Sequence, residues 1–326
     1  MKPRINLTQI GLAALVCLGI ARAAEPEPSS TNLLRWPDHT LGGEQLWADE
    51  FIHGSWRIQR NVLTGHYRLL DPQDRRREFG DYGDCLTTFE SCQRTETIPP
   101  MKSEIVIAIH GLLRSRDCME SLGKYLEKNG NYEVLNFGYP SSRGSISDHA
   151  AVFQRMFAQL PSDARIHIVG HSLGNIVVRC WLQEQLQQHD RIDPRLGRFV
   201  MLGPPNQGAQ LAERFEGQSL FRLVWGKSGR QLGAQWHELD FRSGAPPCEF
   251  GILAGNSGLN PLIVGENDLC VSVEETKLPG ASDFRVLPLN HTTLRTDSAA
   301  HKLVLQFLEQ GYFDSESNRQ PLSRNE

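Results

Sequence analysis

The chain has 326 residues, 39% of them hydrophobic and 22% charged, so it can bury one sizeable core, and a single α/β domain with insertions fits it better than two independent domains. Its 34 basic against 38 acidic residues give a formal net charge of -4, which excludes the basic footprint of a nucleic-acid binder.

The first residues carry Lys2 and Arg4, an apolar stretch from Ile10 to Ile20, and Ala21-Arg22-Ala23. This is the three-part pattern of a secretory signal peptide, so cleavage after Ala23 and a periplasmic or secreted protein are expected. The stretch is short for a bilayer span, and an uncleaved N-terminal anchor is the alternative. Cleavage removes Cys17 and leaves Cys85, Cys92, Cys118, Cys180, Cys248 and Cys270, an even number in an oxidising compartment. Cys85 and Cys92 enclose the polar segment LTTFES and form the first candidate disulfide, whereas Cys180 reads as a buried helical thiol. No CxxC and no zinc spacing occurs, so no metal and no cofactor is expected.

Residues 24 to 50, rich in Pro, Ser and charge, read as an arm with little structure of its own. SWRIQRNVL and HYRLLD alternate about Thr64-Gly65 and predict a hairpin, so residues 24 to 100 are expected to form an arm and a small β extension at the edge of the main sheet. Arg75, Arg76 and Arg77 read as a solvated surface turn.

From Ser103 apolar β-branched runs alternate with helical patterns, as in a parallel sheet covered by helices on both faces. The predicted strands are EIVIAIH, YEVLNF, ARIHIVG, RFVMLG, FGILAG, PLIVG and FRVLPL, with helices over 116–128, 147–160 and 173–188. Between Gly208 and Pro247 the alternation stops, and the segment LAERFEGQSLFRLVWG reads either as a lid over the strand ends or as an ordinary packed helix. As a lid, Phe215, Leu220, Phe221, Leu223, Val224 and Trp225 would wall an acyl site and touch a lipid surface; as a helix they would be core. The catalytic domain is expected over 101–315, followed by a polar tail over 316–326.

The strongest local signal is Gly170-His171-Ser172-Leu173-Gly174, directly after the apolar run ARIHIV and directly before LGNIVVRCWLQ. A strand before and a helix after make G-x-S-x-G a nucleophile elbow, in which small residues on either side let strand and helix approach closely. A serine hydroxyl needs a positioned base, and the base needs a group that fixes its tautomer. Of the downstream histidines, His189 ends a polar helix, His237 lies in the insertion and His301 in the terminal helix, while His291 directly follows the last predicted strand. Asp268 follows PLIVG about 20 residues earlier, with Glu266 and Asp240 as rivals for the acid. For the oxyanion, the N–H of Leu173 supplies one donor and that of Leu112, in His110-Gly111-Leu112-Leu113, the other; His110 reads as loop-shaping.

These segments resemble the lipase and esterase branch of the α/β-hydrolase superfamily, including bacterial lipases and inositol-deacylase-like hydrolases. The resemblance runs from Ser103 to Phe313 through IVIAIHGLLRS, NFGYPSS, IVGHSLGN, MLGPPNQGA, GENDLCV and NHTTL. It implies an α/β-hydrolase fold and ester hydrolysis through Ser172, His291 and Asp268, with Leu112 and Leu173 at the oxyanion. Such enzymes commonly show Asp-Gly at the acid loop, whereas Leu269 follows Asp268 here. An acyltransferase using the same acyl-enzyme, and a binding protein on the same scaffold, are the alternatives.

Overall fold

A computed structural model of the chain describes residues 43–215, 219–239 and 244–323; the expected signal peptide, most of the arm and the rival acid Asp240 lie outside them. Four short strands come first: β1 (Trp47–His53), β2 (Trp56–Asn61), β3 (Tyr67–Leu70) and β4 (Arg76–Gly80). They pair antiparallel in sequence order. The expected hairpin is β2–β3, but it belongs to a sheet of its own and adds no strand to the main one. Strand structure also begins earlier than expected, at Trp47. The acids that made this stretch look solvated are buried with partners: Asp49 accepts from Arg57 and Gln59, each at 2.7 Å, and Glu50 accepts from Arg155 at 2.6 and 2.8 Å. Of the arginine run, exposed Arg75 closes the turn at Asp71, while Arg76 and Arg77 lie on β4, with Arg77 paired to Glu96 at 2.7 Å, so only the first of the three is in a turn.

Helix α1 (Tyr82–Thr95) starts at Asp81, whose side chain accepts the N–H of Asp84. Its buried positions Cys85, Phe89 and Cys92 pack on Trp56, Ile58 and Leu69. This overturns the expected Cys85–Cys92 disulfide. The intervening LTTFES is helix and not a loop, and seven residues at 1.5 Å rise separate the two thiols by about 10 Å, beyond disulfide reach.

The main sheet has six parallel strands, β5 (Glu104–Ile109), β6 (Glu133–Phe137), β7 (Arg165–His171), β8 (Leu196–Leu202), β9 (Phe250–Gly255) and β10 (Asp283–Leu287), ordered β10-β9-β8-β7-β5-β6. Side chains are buried on both faces because helices cover both, which explains the unbroken apolar runs. These helices are α2 (Glu120–Asn129), α3 (Ile146–Ala158), α4 (Leu173–His189) and, after β10, α8 (Ser298–Gln310). The chain leaves β5 for β6 on one side and returns to β7 on the other, so the crevice at the carboxyl ends of β5 and β7 is where strand order reverses.

The expected strand PLIVG does not form. Asn260 Oδ1 takes the N–H of Leu262, Gly265 has φ +86°, and Val264 is 70% exposed, so the segment is a turn and the loop that carries Asp268 follows β9 directly.

The insertion holds α5 (Gln210–Phe215) and α6 (Ser219–Gln231), the latter broken at Gly226. Leu211, Ala212, Phe215, Leu232 and Trp236 are buried in the main core. At about 1.5–3 kcal/mol for each large side chain, that burial anchors the base of the insertion. Phe215 is therefore core, as the packed-helix alternative has it, Val224 is exposed, and Trp225 reaches the site described below, as the wall alternative has it. The side chains of Leu220, Phe221 and Leu223 lie outside the described residues.

After β9 comes the single turn α7 (Val273–Thr276), capped by Ser272. The polar tail is fixed along the edge of the sheet: Phe284 N–H donates to Gln320 O at 2.9 Å, and Leu322 N–H to Ala281 O at 3.0 Å. Among the described residues no helix is long and apolar enough to cross a membrane.

Candidate active site

At the end of β7 the backbone turns through Ser172 at φ 54°, ψ -124° and enters α4 at Leu173. A non-glycine residue held there costs about 1–3 kcal/mol, which the surroundings must offset. Ser172 N–H donates to Leu202 O at 2.9 Å, and Asn175 donates its backbone N–H and its Nδ2 to Ser172 O, each at 3.1 Å. Both elbow glycines are required by close approach. A Cβ on Gly174 would stand 2.7 Å from the carbonyl oxygens of Ile109 and His110, and one on Gly170 would enter the Asn175 amide.

The loop after β10 brings His291 to the same crevice. Its Nδ1 lies 2.6 Å from Asp268 Oδ2, and its N–H donates to Asp268 O at 2.8 Å. Asp268 is fully buried, and its other oxygen accepts the N–H groups of Cys270 at 2.9 Å and Val271 at 2.7 Å. The carboxylate is thus aimed by its own loop, and it holds the ring in the Nδ1–H tautomer, leaving Nε2 as the basic nitrogen.

Ser172 and His291 line one cavity of about 60 Å³ together with Gly111, Leu112, Leu113, Arg114, Cys270 and Val271. Its apolar side comes from Pro205 and from Ala209, Leu211, Trp225 and Leu232 of the insertion. Gly111 has to be glycine here, since a Cβ would stand 2.8 Å from Ser172 Cβ. Burial pushes His110 down to about 4; it stacks on Tyr139 with ring centres 4.4 Å apart and hydrogen-bonds Gly111 O through Nδ1 at 2.9 Å. One donor atom from each of Asp268, Cys270 and His291 lies within 4.8 Å of the others.

The rivals lie elsewhere. Glu266 is exposed and accepts from Asn256 at 3.2 Å. His189 and His237 are exposed, and His301 is buried against Arg295 O at 2.9 Å.

No protein-family model and no curated protein sequence matches the chain. Among solved structures it is similar to the mature form of the lipase BlEst2 of Bacillus licheniformis, at TM-score 0.52 and 19% identity over 66% of this chain and 94% of that one. It is also similar to the propeptide form of that lipase, at TM-score 0.50 and 19% identity over 69% and 53%, and to the phospholipase PlaB of Legionella pneumophila, at TM-score 0.49 and 19% identity over 65% and 61%.

The chain has the α/β-hydrolase fold.

At the residue after Asp268, where the sequence resemblance would place a glycine, Leu269 sits at φ 87°, a conformation in which a glycine is at ease. Two residues of the fold escaped sequence reading. Asn175, fully buried in the first turn of α4, clamps the elbow as described. His171 donates Nε2–H to His291 O at 2.9 Å, and burial, with His291 beside it, holds its pKa well below the usual value, so it is neutral. His171 was in plain view within the pentapeptide, but only the fold brings it to His291. Asn175 carried no sequence signal.

Proposed function

We propose that the protein is a serine hydrolase that cleaves carboxylic esters through an acyl-enzyme. The observation that carries this reading is the strained Ser172 at the switch-point crevice, sharing a cavity with a histidine whose Nδ1 is held by a buried carboxylate. Ser172 Oγ attacks the ester carbonyl while His291 Nε2 takes its proton. The imidazolium formed is stabilised by Asp268 and returns the proton to the leaving alkoxide, and water then repeats the cycle on the acyl-enzyme. The oxyanion falls between the N–H of Leu173, at the start of α4, and that of Leu112. The engagement of Leu113 N–H by Ser141 Oγ at 3.0 Å supports Leu112 as the second donor. The apolar side of the cavity favours an apolar acyl group, and export follows from the reading of residues 1 to 23.

Labelling with a fluorophosphonate probe tests this reading, with the adduct mapped by mass spectrometry and Ser172→Ala as control. An adduct on Ser172 that is absent from the control, together with turnover of para-nitrophenyl esters, supports it; well-folded protein that takes no label on Ser172 sinks it.

A further inference from the structure

The oxyanion loop is held from outside the main sheet. Gln45, two residues before β1, donates Nε2–H to Arg114 O at 2.9 Å. Its Oε1 accepts from Ser142 N at 3.0 Å, Ser142 Oγ at 2.9 Å and Ser141 Oγ at 3.3 Å. Ser141 Oγ in turn accepts the N–H of Leu113, whose φ of 57° is a conformation that a leucine adopts only under constraint. One amide thus grips both ends of a relay: it fixes the far side of the loop at Arg114 and, through Ser141, the strained residue next to Leu112. The segment after β6 that carries these serines is itself pinned by β1, because Asp49 N–H donates to Gly138 O at 2.9 Å and Asp49 Oδ2 accepts Gly138 N–H at 2.7 Å.

We infer that Gln45 is a positioning residue for the reaction, through which the N-terminal sheet sets the direction of the Leu112 N–H toward the oxyanion. The inference rests on the ester-hydrolase reading and gives the small sheet a part in catalysis. Its mechanism is geometric. A donor aimed where charge develops contributes only while its orientation is fixed in advance, and a loop with a left-handed leucine relaxes once its braces go. Gln45 touches no reacting atom, so its loss weakens the transition state more than the ground state.

The test compares full-length wild type with Gln45→Ala, Ser141→Ala and the double variant on a para-nitrophenyl ester, with thermal midpoints measured alongside. The inference expects Gln45→Ala to lower kcat about tenfold with KM within about twofold, and the double variant to be no slower than the slower single one, because both act through one relay. It also expects a boronic acid transition-state mimic to lose affinity in step with kcat while a substrate-like ketone does not. Unchanged kcat in folded Gln45→Ala, additive losses, or a loss that appears only in KM overturns it. Gln45→Glu keeps the acceptor for the Ser142 groups and should recover part of kcat; failure of Ser172 to react in wild type overturns the hydrolase reading and this inference with it.

Discussion

His171 donates its Nε2–H to the carbonyl oxygen of His291 at 2.9 Å, and the two rings lie 4.7 Å apart. The residue beside Ser172 therefore ties the end of β7 to the loop that carries His291. Replacing His171 with alanine should cut kcat/KM by up to about 100-fold with little change in the far-ultraviolet dichroism, since small misplacements of catalytic groups cost that much. Ester kinetics and a fluorophosphonate labelling rate, both falling together, check it.

Ser172→Ala, His291→Ala and Asp268→Asn should each lower kcat by about 10⁴-fold or more, and the double variant Ser172→Ala/His291→Ala should be no worse than either single one, as members of one unit behave. His237→Ala, exposed and off the cavity, should keep its rate. Loss of activity in His237→Ala with retention in His291→Ala would move the base elsewhere.

Leu269 at φ 87° stores strain next to Asp268. Leu269→Gly should raise stability by about 1 kcal/mol, seen as a higher urea midpoint at unchanged slope, whereas the β-branched Leu269→Val should lower it by at least as much.

Burial pushes His110, His149 and His167 down to about 4 and holds His171 well below its usual value. Such groups are neutral in the folded state while the unfolded chain takes up protons near pH 6.5, so their contribution to stability is present above that value and is lost as pH falls toward 4. The thermal midpoint should therefore drop steeply over that window. A midpoint that is flat across it would show that these rings are not held neutral.

The turn at Ser172 and the parallel sheet were legible because each rests on local pattern: a small-x-Ser-x-small turn between an apolar run and a helical one, and β-branched runs buried on both faces. PLIVG misled because three apolar residues between a proline and a glycine satisfy strand and turn alike, and the choice is made by Asn260 and Gly265. The segment around Asp49 and Glu50 misled because charge reads as solvation until Arg57 and Arg155 arrive from other elements. The Cys85 to Cys92 stretch misled because its helix is amphipathic against Trp56 and Leu69, partners that the window does not contain. The roles of His171 and Gln45 depend on contacts across 120 and 69 residues, and no local pattern carries those.

A cavity of about 60 Å³ admits only a few water molecules and lies far below the roughly 300 Å³ at which pockets for drug-sized ligands begin. Trp225, the residue just before the break at Gly226 in α6, forms part of that cavity's wall, so under the proposed ester hydrolysis the helical break lies where an acyl chain would meet the insertion. On that proposal, preference among chain lengths is set at this break in the insertion and not in the main core.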